Sequence, residues 1–200
     1  AVVAMKVMEA LYRARKPQVD LVDRMLPYAA MATVGDVMDL VGENRIIVKE
    51  GLKRLHKTEN LGLQELIRIN GLSPEQITSY HIGFVLGPCL NAGGRLDTAR
   101  RALALLCAED RQEAARLAGD LKNLNDSRKD MTARGVEDAV RQVEEQNMTR
   151  DGVLVIFLPD CHESLAGIVA GRIREAYYRP AFVVTRSEEG AKGSGRSIEE

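Results

Sequence analysis

Several features that would assign this chain to a class at once are absent from it. No run of about 18 apolar residues occurs and no basic segment leads into an apolar one, so neither membrane insertion nor secretion is expected. The cytoplasm is the default compartment. Cysteine is scarce: Cys89, Cys107 and Cys161 are odd in number and lack metal-ligand spacing, which excludes a disulfide framework and a structural zinc site and leaves reduced thiols. An excess of one charge is missing too. The formal net charge is −1, so the field of the whole chain draws in no polyanion, and any nucleic-acid contact has to come from a local group of cations. What is present, 45% hydrophobic and 28% charged residues among 200, suits one large soluble domain or two small ones.

The chemistry concentrates between Gly87 and Asp97, in Gly-Pro-Cys-Leu-Asn-Ala-Gly-Gly-Arg-Leu-Asp. The apolar run Ile82 to Leu86 is expected to break at Gly-Pro, and a helix to restart at Asp97 after a loop of small residues. In such a loop Gly93 and Gly94 can turn backbone N–H groups toward one point, and Arg95 offers a planar donor fork suited to phosphate. An Arg paired with a carboxylate at the edge of a core explains the same residues.

Along the chain, which starts Ala-Val-Val and reads as beginning mid-domain, Val3, Val7 and Leu11 have helical spacing. A second apolar segment from Val19 to Val34 ends at Gly35-Asp36-Val37-Met38-Asp39. Asp36 there is either a metal ligand or an ordinary helix cap. Asn44 is placed to cap a helix from Arg45 to His56, and a further helix near Leu61 to Asn70 stops at Gly71. Ser73-Pro-Glu-Gln76 then carries the marks of a helix start. Asp110 and Glu113 open a long helix reaching about Gln146, striped by Leu117, Leu121, Leu124 and Met131 and, after Gly135, by Val136, Val140 and Val143. Its single narrow apolar face suggests a connector. Beyond Asn147 the period changes: Val153 to Leu158 reads as a buried strand, Ser164 to Tyr178 as a helix and Ala181 to Thr185 as a second, parallel strand. His162 in the first loop, and a turn at Gly193-Ser-Gly-Arg-Ser197 whose glycines expose a nest of backbone amides beside the hydroxyls and the guanidinium, can line a cleft.

Taken in order, Ala32-Thr-Val-Gly-Asp-Val37, Gly42-Glu-Asn-Arg45 with Gly51-Leu52, Leu90-Asn-Ala-Gly-Gly-Arg95, His162 with Gly167-Ile-Val-Ala170, Tyr178-Arg-Pro180 and Gly193-Ser-Gly-Arg-Ser197 resemble the RecJ-type single-strand-specific exonucleases of the DHH phosphoesterase superfamily. The resemblance implies an α/β fold in three parts. Residues 1–109 would be the mainly helical C-terminal part of a DHH catalytic domain, 110–147 a connector helix, and 148–200 the N-terminal part of a small DHH-associated domain that holds nucleic acid. It implies a two-ion site for Mn2+ or Mg2+, most of whose ligands, the family's Asp-rich motifs and Asp-His-His, are not in this sequence. Asp36 falls on the metal-binding Asp of the family's Thr-Val-Ala-Asp-like motif, with Gly35 in place of Ala. Cys89 stands where many relatives carry Arg. The Gly-Gly-His that usually follows the Gly-Ser-Gly-Arg-Ser motif is absent as well, so the sequence reads as cut at both ends.

The function so implied is hydrolysis of single-stranded DNA in repair and recombination, by an enzyme expected to act as a monomer and away from membranes. Asp36 would serve the metals, while Asn91, Arg95, His162, Ser194, Gly195, Arg196 and Ser197 would grip the strand on either side of an interdomain cleft. Two other readings stand beside it: a DHH-type phosphodiesterase or phosphatase for small nucleotides, and a piece that only binds nucleic acid. The long connector favours a polymeric substrate.

Overall fold

A computed structural model describes residues 1–15, 21–188 and 190–199; Val19 and Glu200 lie outside them. The architecture is α/β as expected: mostly helical, with one long helix and a small mixed sheet. Two compact units divide the chain, Ala1–Leu124 and Asn125–Glu200.

The first unit is helical. α1 (Val2–Arg15) has the expected period but the opposite inner face: Val3, Val7 and Leu11 are exposed and Met5 is buried. α2 (Leu21–Gly35) and α3 (Gly42–Leu55) cross closely at Gly51. A Cβ there would stand 2.5 Å from the Leu26 carbonyl oxygen and press on the Ala30 methyl, so only glycine allows this approach. The start of α3 corrects the expected Asn44 cap. The helix begins three residues earlier, at Gly42, and Asn44 donates from Nδ2 to the Asp39 carbonyl at 3.0 Å. Asn60 instead caps α4 (Leu61–Ile69), accepting from the Leu63 N–H at 2.9 Å, and Gly71 turns the chain out at φ +67°. Ser73-Pro-Glu-Gln opens only a single 3-10 turn (Pro74–Gln76) with no side-chain cap. The working capping box is one step on, between Thr78 and His81.

That box starts the main departure from the sequence reading. α5 (Ser79–His81), a π-helical segment (Ile82–Leu86) and α6 (Gly87–Leu96) follow one another without interruption, so the expected Gly87–Asp97 loop is a helix. Pro88 has no N–H for the carbonyl four residues back, and its ring crowds that carbonyl. The turn widens here, Gly87 N–H reaching the Ile82 carbonyl, and the helix survives. Gly93 and Gly94 therefore keep helical backbone and gather no amides; the positive-φ glycines are Gly42, Gly71 and Gly190. α7 (Arg100–Leu106) starts three residues later than the expected Asp97.

α8 (Arg111–Glu145) runs 35 residues, opened by Asp110 accepting from the Glu113 N–H at 2.8 Å. It continues through Gly135. Its first half buries Ala114, Leu117, Ala118 and Leu121 in the core of the first unit, with Leu63, Leu66, Ile82, Leu86 and Leu105. Its second half buries Ala139 and Val143 in the core of the second.

In the second unit β1 (Leu154–Phe157) pairs parallel with β2 (Ala181–Ser187) through α9 (Ala166–Tyr177), giving the expected β-α-β unit. The sheet is half-covered, which corrects the expected buried strand. Leu154, Ile156, Ala181 and Val183 face α8 and α9, whereas Val155, Phe157 and Phe182 are exposed. A second correction follows: Gly193 to Arg196 is no turn but the end of β3 (Gly190–Arg196), antiparallel to β2. Its glycines answer a neighbour. A Cβ on Gly195 would come within 2.5 Å of the Phe182 ring.

Candidate nucleic-acid interface

Asp36 occupies the end of α2. The N–H of Val37 reaches the Val34 carbonyl at 3.1 Å and that of Met38 the Thr33 carbonyl at 3.1 Å, the paired bonds that close a helix with a left-handed residue. That residue is Val37 at φ 54°, although glycine is usual and a β-branched side chain is disfavoured there. The carboxylate of Asp36 thus stands exposed at the negative end of the α2 dipole, beside strained backbone. The negative carboxylate and the negative helix end both favour a cation in front of it. Among the described residues no group of three or more His, Cys, Asp or Glu is placed to hold a metal ion, so Asp36 fits as one oxygen ligand and not as a two-ion site.

Asn91 and Arg95 stand on the exposed side of α6, opposite the buried Cys89, Ala92 and Gly93. Neighbouring turns, not a loop, bring them together. The end of α2 touches the same helical run one level up, since a Cβ on Gly83 would meet Val34 at 3.6 Å.

In the second unit the alternation of β3 sends Lys192, Ser194 and Arg196 to the α9 side of the sheet and Gly193 and Gly195 to the other. The Nη2 of Arg196 and the Oγ of Ser194 both lie 2.8 Å from where a Cβ of Gly167 would be, against the first turn of α9. Arg196 donates from Nη1 to Ser194 Oγ at 3.1 Å and to the Gly195 carbonyl at 2.7 Å. No carboxylate among the described residues pairs with it. Ser197 lies beyond the strand and donates to the Ile198 carbonyl at 3.1 Å.

His162 caps the 3-10 turn (Glu163–Leu165) ahead of α9, its Nδ1 accepting from the Ser164 N–H at 3.3 Å and lying 2.8 Å from the Ser164 hydroxyl. Glu163 binds Lys192 at 2.8 Å. The hydrogen bond from Lys192 holds the Glu163 carboxyl below the usual carboxylate range, and the same bond holds the Lys192 ammonium above its own. Nearby Cys161 is half-buried, which pushes its thiol up, as does the negative Asp138. Sequence reasoning named neither Lys192 nor Gly167 as a site residue. Strand alternation back from Arg196 would have found Lys192.

No protein-family model matches the chain. It is 39% identical over 181 residues to the single-stranded-DNA-specific exonuclease RecJ of Bacillus subtilis, which covers 90% of this chain and 23% of that protein. RecJ of Escherichia coli is 34% identical over 180 residues, covering 88% of this chain and 31% of that protein. Among solved structures, RecJ from Thermus thermophilus in complex with Mg2+ superposes with a TM-score of 0.74 at 35% identity, covering 86% of this chain and 27% of that chain. An exonuclease RecJ bound to manganese does so with a TM-score of 0.74 at 35% identity, covering 87% and 43%. The chain spans about a quarter to a third of the length of these curated relatives. On sequence similarity running nearly its whole length and a shared fold, it belongs to the RecJ family.

Proposed function

We propose that this chain is the strand-holding portion of a metal-dependent exonuclease that hydrolyses phosphodiester bonds of single-stranded DNA in repair and recombination. In this reading residues 1–109 belong to the catalytic domain, 110–147 to its connector and 148–200 to the associated domain. Mg2+ or Mn2+ is the cofactor, in keeping with the ions in the related RecJ structures. Asp36 contributes one oxygen ligand. When bound, such ions stabilise charge on the attacking and leaving oxygens of the phosphodiester. The chain's own residues position the strand: Asn91 and Arg95 on α6, and Ser194 and Arg196 on β3, with Gly195, Ser197 and His162 beside them.

The observation that carries the reading is the convergence of Arg196 and Ser194 on Gly167. A guanidinium, a hydroxyl and the positive end of α9 meet where a larger residue at 167 would displace them. The expected backbone nest at 193–197 is not needed, because side chains and the helix end provide the donors. A charge-assisted contact is worth about 1.5–3 kcal/mol, so Arg196→Ala should weaken single-strand binding by about one to two powers of ten. All sequences should lose affinity alike, and the salt slope should fall by about one ion. Titration of labelled oligonucleotides at several salt concentrations, with a thermal melt as control, reads both. An unchanged affinity with a lowered melting temperature would make Arg196 structural and remove it from the interface.

A further inference from the structure

Tyr80 and Phe84 form an aromatic surface to which sequence reasoning gave no role. Their rings stack with centroids 4.9 Å apart and planes 27° from parallel, and His81 meets Tyr80 edge-on at 5.7 Å. Tyr80 is 62% and Phe84 69% exposed. The chain has no Trp, three Phe and five Tyr, so two of its eight aromatic side chains stand together on an open surface.

Position along the helix gives the pair its meaning. From Ser79 to Leu96 the run buries Ile82, Leu86, Cys89, Ala92 and Gly93 on one side and exposes Tyr80, Phe84, Asn91 and Arg95 on the other. Tyr80, Phe84, Asn91 and Arg95 are all exposed along this one helical run, which passes through the widened π turn unbroken. An aromatic pair four residues apart steadies a helix by only a few tenths of a kilocalorie, and two aliphatic residues would serve as well. Flat rings exposed on the same helical run as an amide and a guanidinium suit one ligand better than others: a strand whose bases stack on the rings while its phosphates reach the polar groups. The spacing agrees. Asn91 and Arg95 lie seven and eleven residues beyond Phe84, about 10 and 16 Å along the axis at 1.5 Å per residue, a span that a few nucleotides of single strand cover.

We propose that Tyr80 and Phe84 are a stacking platform for an unpaired nucleobase, continuous with the phosphate contacts of Asn91 and Arg95 on the same helix. This rests on the reading of the chain as a single-strand binder and adds where a base is held.

The test uses the 200-residue chain and oligothymidylates carrying one 2-aminopurine, whose fluorescence is quenched by stacking. Scanning its position should find a register in which the chain changes the quenching, and in which an abasic site weakens binding about tenfold. Phe84→Leu should weaken binding of the intact strand about tenfold with an unchanged salt slope, and should abolish both the fluorescence change and the abasic penalty. Phe84→Trp should restore them. At this exposure neither substitution should move the thermal melt. If Phe84→Leu binds as the unchanged chain does while Arg196→Ala does not, the platform is overturned and the single-strand reading stands. If the unchanged chain binds no single strand even at low salt, both fall. If Phe84→Leu leaves DNA affinity alone but alters the sedimentation coefficient, the rings dock protein and the proposal is wrong.

Discussion

Val37 shows how much one residue can reveal. At φ 54° and 88% exposed, it sits in a conformation that suits glycine and buries too little to offset the strain. A β-branched residue in the left-handed region costs about 1–2 kcal/mol, part of which glycine would lose again to the entropy of the unfolded chain. Val37→Gly should therefore stabilise the first unit by about 1 kcal/mol, seen as a melting temperature a few degrees higher. A lower melting temperature would mean that the Val37 side chain contributes more than its exposure suggests. Local strain next to a carboxylate at the wrong end of a helix dipole is a pattern associated with function. Sequence alone left Asp36 between cap and ligand, because nothing in Thr-Val-Gly-Asp-Val discloses a positive φ at the last residue.

At the scale of elements, periodicity was a good guide where packing has one side, and a poor one where small residues sit. The leucine stripe of α8 and the change of period at Val153 were legible because each is set by burial alone. Gly87-Pro88 and Gly193-Ser-Gly were misread as loop and turn, since glycine signals conformational freedom and close approach with the same letter. Here it is close approach. Gly195 makes room for Phe182 and Gly167 for Arg196, contacts between residues far apart in sequence that no local pattern carries. The Thr78–His81 box had a local signal, Thr-x-x-His, outside the usual Glu or Gln at its last position. Gly51 gives the sharpest test of the close-approach account. Gly51→Ala should force α2 and α3 apart and cost about 1–3 kcal/mol, with the loss read in chemical denaturation. A neutral result would show that the pair separates freely.

For the whole molecule, the sequence reading found the fold class, the long helix and the family, and the comparisons agree on each. It also expected too little metal-binding capacity for turnover. Asp36 is one carboxylate, and no described cluster adds to it. The purified 200-residue chain should leave a labelled single strand intact with millimolar Mn2+, even where it binds that strand. Manganese-dependent shortening of the strand by a preparation free of contaminating nuclease would show a complete site. Binding without cleavage is the expected behaviour, which makes the chain convenient for measuring affinity.

The half-covered sheet bears on how the protein behaves as a solute. Val155, Phe157 and Phe182 project from its uncovered side, next to the nearly bare backbone of Gly193 and Gly195, and β1 and β3 are its edges. A contiguous greasy plane of this kind sets the solubility ceiling of a molecule whose net charge is only −1, because little long-range repulsion keeps two copies apart. Ammonium sulfate should salt the chain out early. A single Phe182→Lys, placed at the centre of the plane, should raise the concentration at which light scattering still reports one monodisperse species.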